Sequence, residues 1–341
     1  GQGHGVRDLR RVQLSGMGAL DFLTAADLRA LVTEADCVDL LATALASGAV
    51  DPELDDPRLF SPAPRGEFLL MPGSSAQYTG VNVITIAPEN PARGKPKIQG
   101  VYVLFGSDDL APLILMDGPE LTLLRTPAIT VLAIRELLAV DGAPPRPAGP
   151  LPVVVYGTGP QALRHLQVVR SVLGPIDAAV IGRRPQGVAA LVEQAAIVGL
   201  TVRAGTAADV PGAAVVLTAT SSPTPIVDDA LIGPDTVVAA IGAHSPDRAE
   251  LPPELVRRAD VVVEARAAAL RESGNLLGAR TALEWGATPP ATLADLVTGR
   301  FQRRRGVPAV FSGVGMTWED LVIASAVYDR NLATSLSTTN A

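Results

Sequence analysis

Val153-Val154-Val155-Tyr156-Gly157-Thr158-Gly159-Pro160-Gln161-Ala162 is an apolar run that leads into the pattern G-x-G-x-x-A. The run predicts a buried β-strand, and the glycines predict a tight turn into a helix. Gly157 permits the turn, Gly159 lets the main chain approach a pyrophosphate, and Ala162 is small enough for the helix to pack on the strand. Free N–H groups at the start of the helix then face the phosphates. The sequence therefore predicts a dinucleotide site at Gly157–Ala162; the alternative is the same turn without a ligand.

Strands and helices alternate along the chain on the carboxyl side of this turn. Helical stretches over 160–173 and 187–198 separate short runs rich in valine, isoleucine and alanine. Continuous apolar runs of this kind are typical of strands buried on both faces of a parallel sheet. The predicted fold is therefore α/β, with a doubly wound parallel Rossmann domain. Its six predicted strands are Val153–Tyr156, Ala179–Ile181, Thr201–Arg203, Ala214–Ala219, Thr236–Ile241 and Asp260–Glu264.

The end of the second predicted strand bears on the choice of dinucleotide. NAD sites usually have a carboxylate there, which binds the ribose hydroxyl groups. This strand instead ends in Val180-Ile181-Gly182-Arg183-Arg184-Pro185. A guanidinium group can bind a 2′-phosphate through two hydrogen bonds, whereas a carboxylate would repel it. Arg183 and Arg184 therefore favour NADP(H) over NAD(H), unless both are solvated side chains at the edge of the sheet.

Two further segments follow predicted strands at the edge of the sheet where ligands bind. The small side chains around Thr220, in T-A-T-S-S-P at 218–223, would let a nicotinamide ribose lie close, and a capped loop without a ligand is the alternative. Gly242 follows the next strand, in A-I-G-A-H-S-P at 240–246. Ligands of open parallel sheets lie at the carboxyl ends of the strands. We therefore expect Thr220 and Gly242 to contact the cofactor.

The first third of the chain has a different pattern. Residues 20–48 are predicted as helix, capped by Thr24 with Asp27 three residues later. Segment 66–117 holds short β-rich runs between proline and glycine turns, which predicts an antiparallel or mixed sheet. A long helix is predicted over 119–140, and the five prolines and two glycines of 142–152 end it. The last predicted helix covers 316–331.

Composition excludes several classes of protein. Of the 341 residues, 48% are hydrophobic and 18% are charged, as in packed globular proteins, and the net charge of −7 argues against a nucleic-acid partner. The basic run at 303–305 is predicted to be a solvated loop. No apolar run is long enough to span a membrane, and the N-terminus lacks the apolar core of a signal peptide. The single cysteine and the histidine spacing indicate neither a disulfide nor a metal site, so we expect a cytoplasmic protein without a metal.

The sequence resembles the ornithine cyclodeaminase/μ-crystallin family over most of its length, residues 20–330. The order and spacing of the matching pieces make the resemblance specific, although no single piece would. These pieces are F-L-L-M-P at 68–72, P-E-N-P-A-R-G at 88–94, I-Q-G-V-Y at 98–102, L-T-L-L-R-T at 121–126, G-T-G-P-Q-A-L-R-H at 157–165, A-I-G-A-H-S-P-D-R-A-E-L at 240–251 and F-S-G-V-G-M-T-W-E-D at 311–320.

The resemblance implies a subunit of two domains that pairs with a second copy as a homodimer. An α+β substrate-binding and dimerisation domain would comprise 20–141 with 309–333, and the Rossmann domain would comprise 142–308. Members of the family oxidise or reduce the α-carbon of amino and imino acids. They include cyclodeaminases, alanine dehydrogenase-like enzymes, cyclic ketimine reductases and opine-type enzymes.

The resemblance also implies contacts with the substrate and the cofactor. Arg125 matches the carboxylate-binding arginine of the family on the long helix, and Arg58 is the candidate for a second such residue. Two guanidinium groups can clamp a carboxylate and fix the α-carbon against the nicotinamide. Gly315, in the G-V-G before the last helix, is a further candidate contact with the cofactor. Without the resemblance, each arginine would be interpreted as part of a surface ion pair.

Two departures from the family pattern concern catalysis. The family usually has lysine where this chain has Asn82, and that lysine resembles a partner of the substrate carboxylate and a proton donor. Asn82 can donate hydrogen bonds there, but it carries no charge and relays no proton near neutral pH. Ornithine cyclodeaminases have a catalytic aspartate at the position of His244. A protonated histidine would repel a distal amine but could act as general acid for imine reduction, unless His244 has no chemical task.

These residues together predict an NADPH-dependent reductase of an imino acid, with hydride transfer to the α-carbon. The substrate would be a cyclic ketimine, or an imine formed from an oxo acid and an amine. One alternative is a cyclodeaminase that releases ammonia from a diamino acid without net turnover of dinucleotide. The other alternative, which Asn82 motivates, is a dinucleotide-binding protein with altered catalysis.

Overall fold

The chain divides into two compact units in the computed structural model, which describes residues 11–13, 19–146 and 148–339. The first unit holds the described residues of Gly1–Thr33, Asp55–Thr122 and Thr317–Ala341. The second unit holds those of Glu34–Leu54 and Leu123–Met316. Each unit is built around one β-sheet.

A seven-stranded mixed sheet forms the first unit, as the β-rich runs of 66–117 predicted. Its order is β1-β2-β7-β6-β5-β4-β3, and its pairs are antiparallel except for β2 with β7. The strands are β1 (Arg11–Gln13), β2 (Ala19–Leu23), β3 (Leu59–Ala63), β4 (Gly66–Ser74), β5 (Tyr78–Ile86), β6 (Ile98–Gly106) and β7 (Pro112–Asp117).

An eight-stranded parallel sheet forms the second unit, which confirms the doubly wound α/β prediction. Its order is β10-β9-β8-β11-β12-β15-β13-β14. The chain turns outward in both directions from the neighbours β8 and β11, and ligands of such sheets bind at this switch point. The strands are β8 (Leu151–Tyr156), β9 (Ile176–Ile181), β10 (Val202–Ala204), β11 (Val215–Thr218), β12 (Val237–Ala240), β13 (Asp260–Val263), β14 (Ala291–Thr292) and β15 (Ala309–Ser312).

The helices follow the apolar periodicity of the sequence. The two long helices predicted around 119–140 and 316–331 are present, although each differs from its predicted bounds at one or both ends. The helices are α1 (Ala25–Leu31), α2 (Glu34–Ser47), α3 (Gly118–Leu137), α4 (Pro160–Leu173), α5 (Pro185–Ile197), α6 (Pro253–Arg258), α7 (Arg266–Glu272), α8 (Gly274–Leu277), α9 (Ala282–Ala287), α10 (Leu293–Val297) and α11 (Thr317–Thr339).

Residues 20–48, predicted as one helix, form a strand and two helices. The predicted cap is present, because Thr24 and Asp27 form a reciprocal capping box at the start of α1. The residues before Thr24 instead pair with β7 as β2, where Phe22 lies opposite Leu115. The prediction was wrong here because an apolar run beside a capping box fits a strand as well as a first helical turn.

The predicted domain boundaries differ from the observed units at three segments. Residues 309–312 were assigned to the substrate-binding domain, but they form β15 between β12 and β13 of the parallel sheet. Residues 34–54 and 123–141 were also assigned to that domain, but they belong to the second unit. There α2 packs against α4 and α10, contacts between distant parts of the chain that the sequence does not reveal.

The basic run at 303–305 is not a solvated loop. Arg303 is only 4% exposed, and its Nη2 donates to the carbonyl oxygens of Asp235 at 2.8 Å and Thr236 at 3.3 Å. Arg304 donates through Nε to the Asp260 carboxylate at 2.6 Å. The run therefore ties the starts of β12 and β13 together.

Candidate active site

The turn after β8 has the geometry that a bound pyrophosphate requires. Gly157 has a φ of +126°, and a Cβ there would overlap the main chain of Ala219. Gly159 is the N-cap of α4, so no side chain at this position occupies the first N–H groups of the helix, and the space where its Cβ would be is open. Ala162 is fully buried. Unoccupied N–H groups beside open space fit the phosphates of a dinucleotide.

Thr158 joins this turn to the loop after β9. A Cβ on Gly182 would lie 2.6 Å from Thr158 Cγ2, so the glycine leaves room for the threonine side chain. Arg183 and Arg184 follow in the same loop, where both are exposed. Neither forms an ion pair with another residue in the described ranges, so both guanidinium groups are accessible to an anion.

Glu250 connects the loops that follow β11 and β12. Its buried carboxylate accepts hydrogen bonds from Thr218 Oγ1 and Thr220 N at 2.8 Å, and from Thr220 Oγ1 and Gly242 N at 2.7 Å. Burial raises the pKa of Glu250, and these hydrogen bonds oppose that shift. Glu250 therefore brings together Thr220 and Gly242, two residues that the sequence singled out separately. Sequence reasoning missed Glu250, and the only signal was its place in the matching piece at 240–251.

A second buried glutamate holds the segment before α11. Glu264 directly follows β13, is 2% exposed, and accepts hydrogen bonds from Val314 N at 2.8 Å and Gly315 N at 3.1 Å. Gly315 has a φ of +78°, and a Cβ there would overlap the guanidinium group of Arg125 on α3. Arg125 is itself only 6% exposed. Sequence reasoning missed Glu264 as well, although an acid that closes an otherwise apolar strand was an available signal.

His244 lies exposed in the loop after β12. The hydrogen bond from Ser245 lowers the pKa of nearby Asp247, and the charges of Arg248 and His244 lower it further. The imidazole of His244 therefore has a carboxylate in its surroundings. Its exposure lets it exchange protons with water.

Asn82 is fully buried in the first unit, on β5. Its Nδ2 donates to Asp320 Oδ2 at 3.3 Å and to Thr122 Oγ1 at 3.4 Å. Within the described ranges its Oδ1 has no hydrogen-bond partner, and the same is true of the buried hydroxyl of Tyr102 on the neighbouring strand. Burial raises the pKa of Tyr102 well above its usual value, and the charge of Asp320 adds to that effect. Asn82 thus belongs to a buried polar cluster on one face of the sheet.

Arg58 lies in the first unit, immediately before β3, and is half-buried. Its guanidinium carbon is 6.0 Å from the centroid of the Phe60 ring. A cation–π interaction at that distance is weak. The structure thus places Arg58 and Asn82 in the first unit, and Arg125, His244 and the dinucleotide turn in the second.

A groove of about 510 Å³ in the second unit includes none of the predicted site residues. Its charged lining residues are Asp260, Arg266, Arg280, Asp295, Arg300 and Arg304. The described residues contain no group of three or more histidine, cysteine, aspartate or glutamate side chains that could hold a metal ion. Among the described helices, none is both long enough and apolar enough to cross a membrane.

Comparison with known proteins gives matches over nearly the whole chain. A Delta(1)-pyrroline-2-carboxylate/Delta(1)-piperideine-2-carboxylate reductase of Azospirillum brasilense is 30% identical over 320 residues, which cover 93% of this chain and 97% of that protein. Ketimine reductase mu-crystallin of Mus musculus is 29% identical over 270 residues, which cover 78% of this chain and 80% of that protein.

A solved structure shares the fold. Thermococcus litoralis Delta(1)-pyrroline-2-carboxylate reductase, in complex with NADH and L-proline, matches with a TM-score of 0.78 and 23% identity, over 92% of this chain and 98% of that chain. The model of the ornithine cyclodeaminase/mu-crystallin family matches residues 20–335, a range that includes every candidate site residue. This chain belongs to the ornithine cyclodeaminase/mu-crystallin family.

Proposed function

We propose that this chain is an NAD(P)H-dependent oxidoreductase that reduces an imino acid by hydride transfer to the α-carbon. The observation that carries the proposal is the place of Arg125. Its buried guanidinium lies against Gly315, three residues beyond the carboxyl end of β15, and the open dinucleotide turn at 157–162 lies at the same edge of the sheet. Two relatives support the choice of substrate class: one is named as a reductase of Delta(1)-pyrroline-2-carboxylate and Delta(1)-piperideine-2-carboxylate, and the other as a ketimine reductase.

The residues present would divide the chemistry as follows. A dinucleotide bound at the turn after β8 supplies the hydride. Arg125 can hold a carboxylate through two parallel hydrogen bonds, which orients the adjacent carbon. Reduction of a C=N bond also requires a proton at nitrogen. His244 is the proposed donor, since histidine ordinarily changes charge between pH 5 and 8.

Steady-state assays test this function. NADPH or NADH is mixed with Delta(1)-pyrroline-2-carboxylate, Delta(1)-piperideine-2-carboxylate, or an oxo acid with methylamine, and oxidation of the dinucleotide is followed. Arg125→Met should raise the KM for the imino acid by about 10- to 100-fold, because one charged hydrogen-bonded pair is lost, while the KM for the dinucleotide stays within twofold. If the protein binds the dinucleotide but does not oxidise it with any of these imines, the result contradicts a reductase and favours a dinucleotide-binding protein with altered catalysis.

We further infer that NADP(H) is preferred over NAD(H). The support is the exposed pair Arg183 and Arg184 in the loop after β9. Replacing both with alanine should raise the KM for NADPH by about tenfold or more, because a charge-assisted bond to the 2′-phosphate is lost, and should leave the KM for NADH unchanged. Arg170→Ala, at an exposed position on α4, is the control. Equal changes for both dinucleotides would contradict the preference.

We also propose that the chain forms a homodimer through the open face of the seven-stranded sheet. One face of β4 and β5 packs against α11. The opposite face is also apolar, although a sheet face exposed to water usually alternates to polar residues. Residues of this face are Leu70, Val81, Val83, Val101 and Val103. By light scattering, Val83→Lys should halve the molecular mass, and Leu283→Lys, at an exposed position of the second unit, should not.

A further inference from the structure

Two buried glutamates lie at the ligand-binding edge of the parallel sheet without forming ion pairs with described cationic side chains. Glu250 is fully buried and Glu264 is 2% exposed. A buried carboxylate loses its hydration, and hydrogen bonds from main-chain N–H and hydroxyl groups only offset that cost. Net stabilisation of the fold therefore explains neither residue well. What both carboxylates do is fix the positions of loop atoms.

Glu250 fixes the loop atoms on the dinucleotide side. Its Oε1 accepts from both the main chain and the hydroxyl of Thr220, and its Oε2 accepts from Gly242 N and Thr218 Oγ1. The main chain of Glu250 is held in turn, because Asn275 Oδ1 accepts from Glu250 N at 2.8 Å. Since the Thr220 hydroxyl donates to Glu250, that hydroxyl can only accept a hydrogen bond from a ligand.

Glu264 fixes the support of Arg125. It accepts the N–H groups of Val314 and Gly315, and the Arg125 guanidinium lies directly on Gly315. A shift of Gly315 would therefore move the guanidinium group that we assign to the substrate carboxylate. The two glutamates hold different loops, those after β11 and β12 in one case and the one after β15 in the other.

We propose that Glu250 and Glu264 are positioning residues with separate tasks: Glu250 places the dinucleotide contacts, and Glu264 places Arg125 for the substrate. This inference rests on the function proposed above. Glutamine in place of either glutamate keeps the size but turns one acceptor oxygen into a donor NH₂ group. At Glu250 that NH₂ group must face N–H or O–H donors, so the loops have to move apart. At Glu264 the glutamine oxygen can still take the place of Oε2, which accepts from both Val314 N and Gly315 N, but the NH₂ group then replaces Oε1, which accepts from Gly315 N at 3.2 Å, so the Gly315 N–H faces a donor and has to shift.

The test compares Glu250→Gln with Glu264→Gln in the full-length protein. Three quantities are measured: the Kd for NADPH by fluorescence titration, the KM for the imino acid at saturating NADPH, and the midpoint of thermal unfolding. Glu250→Gln should raise the Kd by about tenfold or more and change the KM by less than twofold. Glu264→Gln should raise the KM for the imino acid by about tenfold or more and change the Kd for NADPH by less than twofold. The control is Glu284→Gln, which weakens the exposed capping box of α9 and should lower only the unfolding midpoint.

A loss of stability alone, or equal changes of Kd and KM in both variants, overturns the separate positioning roles. Wild-type protein that binds no dinucleotide overturns the proposed function and this inference with it, so the two failures are distinguishable. If a glutamine variant does not fold, two milder changes replace it. Thr220→Val removes the hydroxyl that Glu250 orients and should raise the Kd, whereas Glu264→Asp shortens the side chain that holds Gly315 and should raise the KM. The proposal is also overturned if these two variants change the Kd for NADPH and the KM for the imino acid in the same way.

Discussion

At the scale of single residues, Asn82 shows how one neutral side chain sets the charge of a buried cluster. Its amide lies beside the buried Asp320 carboxylate. A lysine at this position would bring an ammonium group to that carboxylate, whereas a methionine of similar length would not. We expect Asn82→Lys to be more stable than Asn82→Met by about 1–3 kcal/mol in urea unfolding at pH 7. The difference should disappear in the Asp320→Asn background, and its persistence there would show that charge is not the cause.

The sequence predicts the element on which a residue lies better than it predicts the hydrogen-bond partners of its side chain. Asn82 was correctly placed on a strand, and Arg125 on a long helix, because apolar periodicity fixes the element. Nothing in the sequence joined Asn82 to Asp320, which lies 238 positions away. Glu250 and Glu264 were missed for the same reason, since their hydrogen-bond partners lie on loops that only the sheet order brings near.

At the scale of elements, the turn between β8 and α4 depends on Gly157. Its φ of +126° disfavours any side chain, and a Cβ would overlap the main chain of Ala219. We expect Gly157→Ala to displace the turn and weaken dinucleotide binding by about tenfold or more, measured by equilibrium titration. Gly174→Ala, at the other end of α4, is the matched control, because Gly174 also has a positive φ of +90° but open space around it. Equal losses of affinity in both variants would contradict a local effect of the turn.

Helices and strands with a clear apolar pattern in the sequence could be predicted. Strands that depend on pairing with a distant strand could not. The six strands predicted for the parallel sheet are all present, because runs of valine and isoleucine between helices have few other interpretations. The strands β14 and β15 were missed. With two residues, β14 is too short for a pattern. β15 is as long as β11, but the sequence does not show that it pairs with β12 and β13. β2 was taken for helix, since its pairing with β7 cannot be read locally.

At the scale of the whole molecule, two buried groups make opposite contributions to the pH dependence of stability. Burial lowers the pKa of His165, in the second unit, to about 4 from an ordinary 6.5. Burial raises the pKa of Asp55, in the first unit, to about 6 from an ordinary 3.8, although hydrogen bonds from Thr317 and Trp318 oppose the shift. Each shift corresponds to about 3 kcal/mol between its limits.

The signs follow from which state binds the proton. Between pH 6.5 and 4 the unfolded chain protonates His165 and the folded chain does not, so the stability due to His165 is complete above pH 6.5 and is lost as the pH falls. Between pH 3.8 and 6 the folded chain keeps Asp55 protonated and the unfolded chain does not. The stability due to Asp55 is therefore complete below pH 3.8 and is lost as the pH rises. From pH 4 to 6 the two contributions nearly cancel.

Replacing either His165 or Asp55 should reveal the pH dependence of stability that the other one causes. We expect the free energy of unfolding of His165→Leu, relative to wild type, to fall by about 2–3 kcal/mol as the pH rises from 4 to 6. Relative to wild type, Asp55→Asn should rise by a similar amount over the same range, and the double variant should show neither slope. Differences from wild type are compared because all other titrating groups cancel in them. Urea unfolding at half-unit pH steps gives these curves, and parallel curves for wild type and both single variants would mean that the two groups titrate normally in the folded protein.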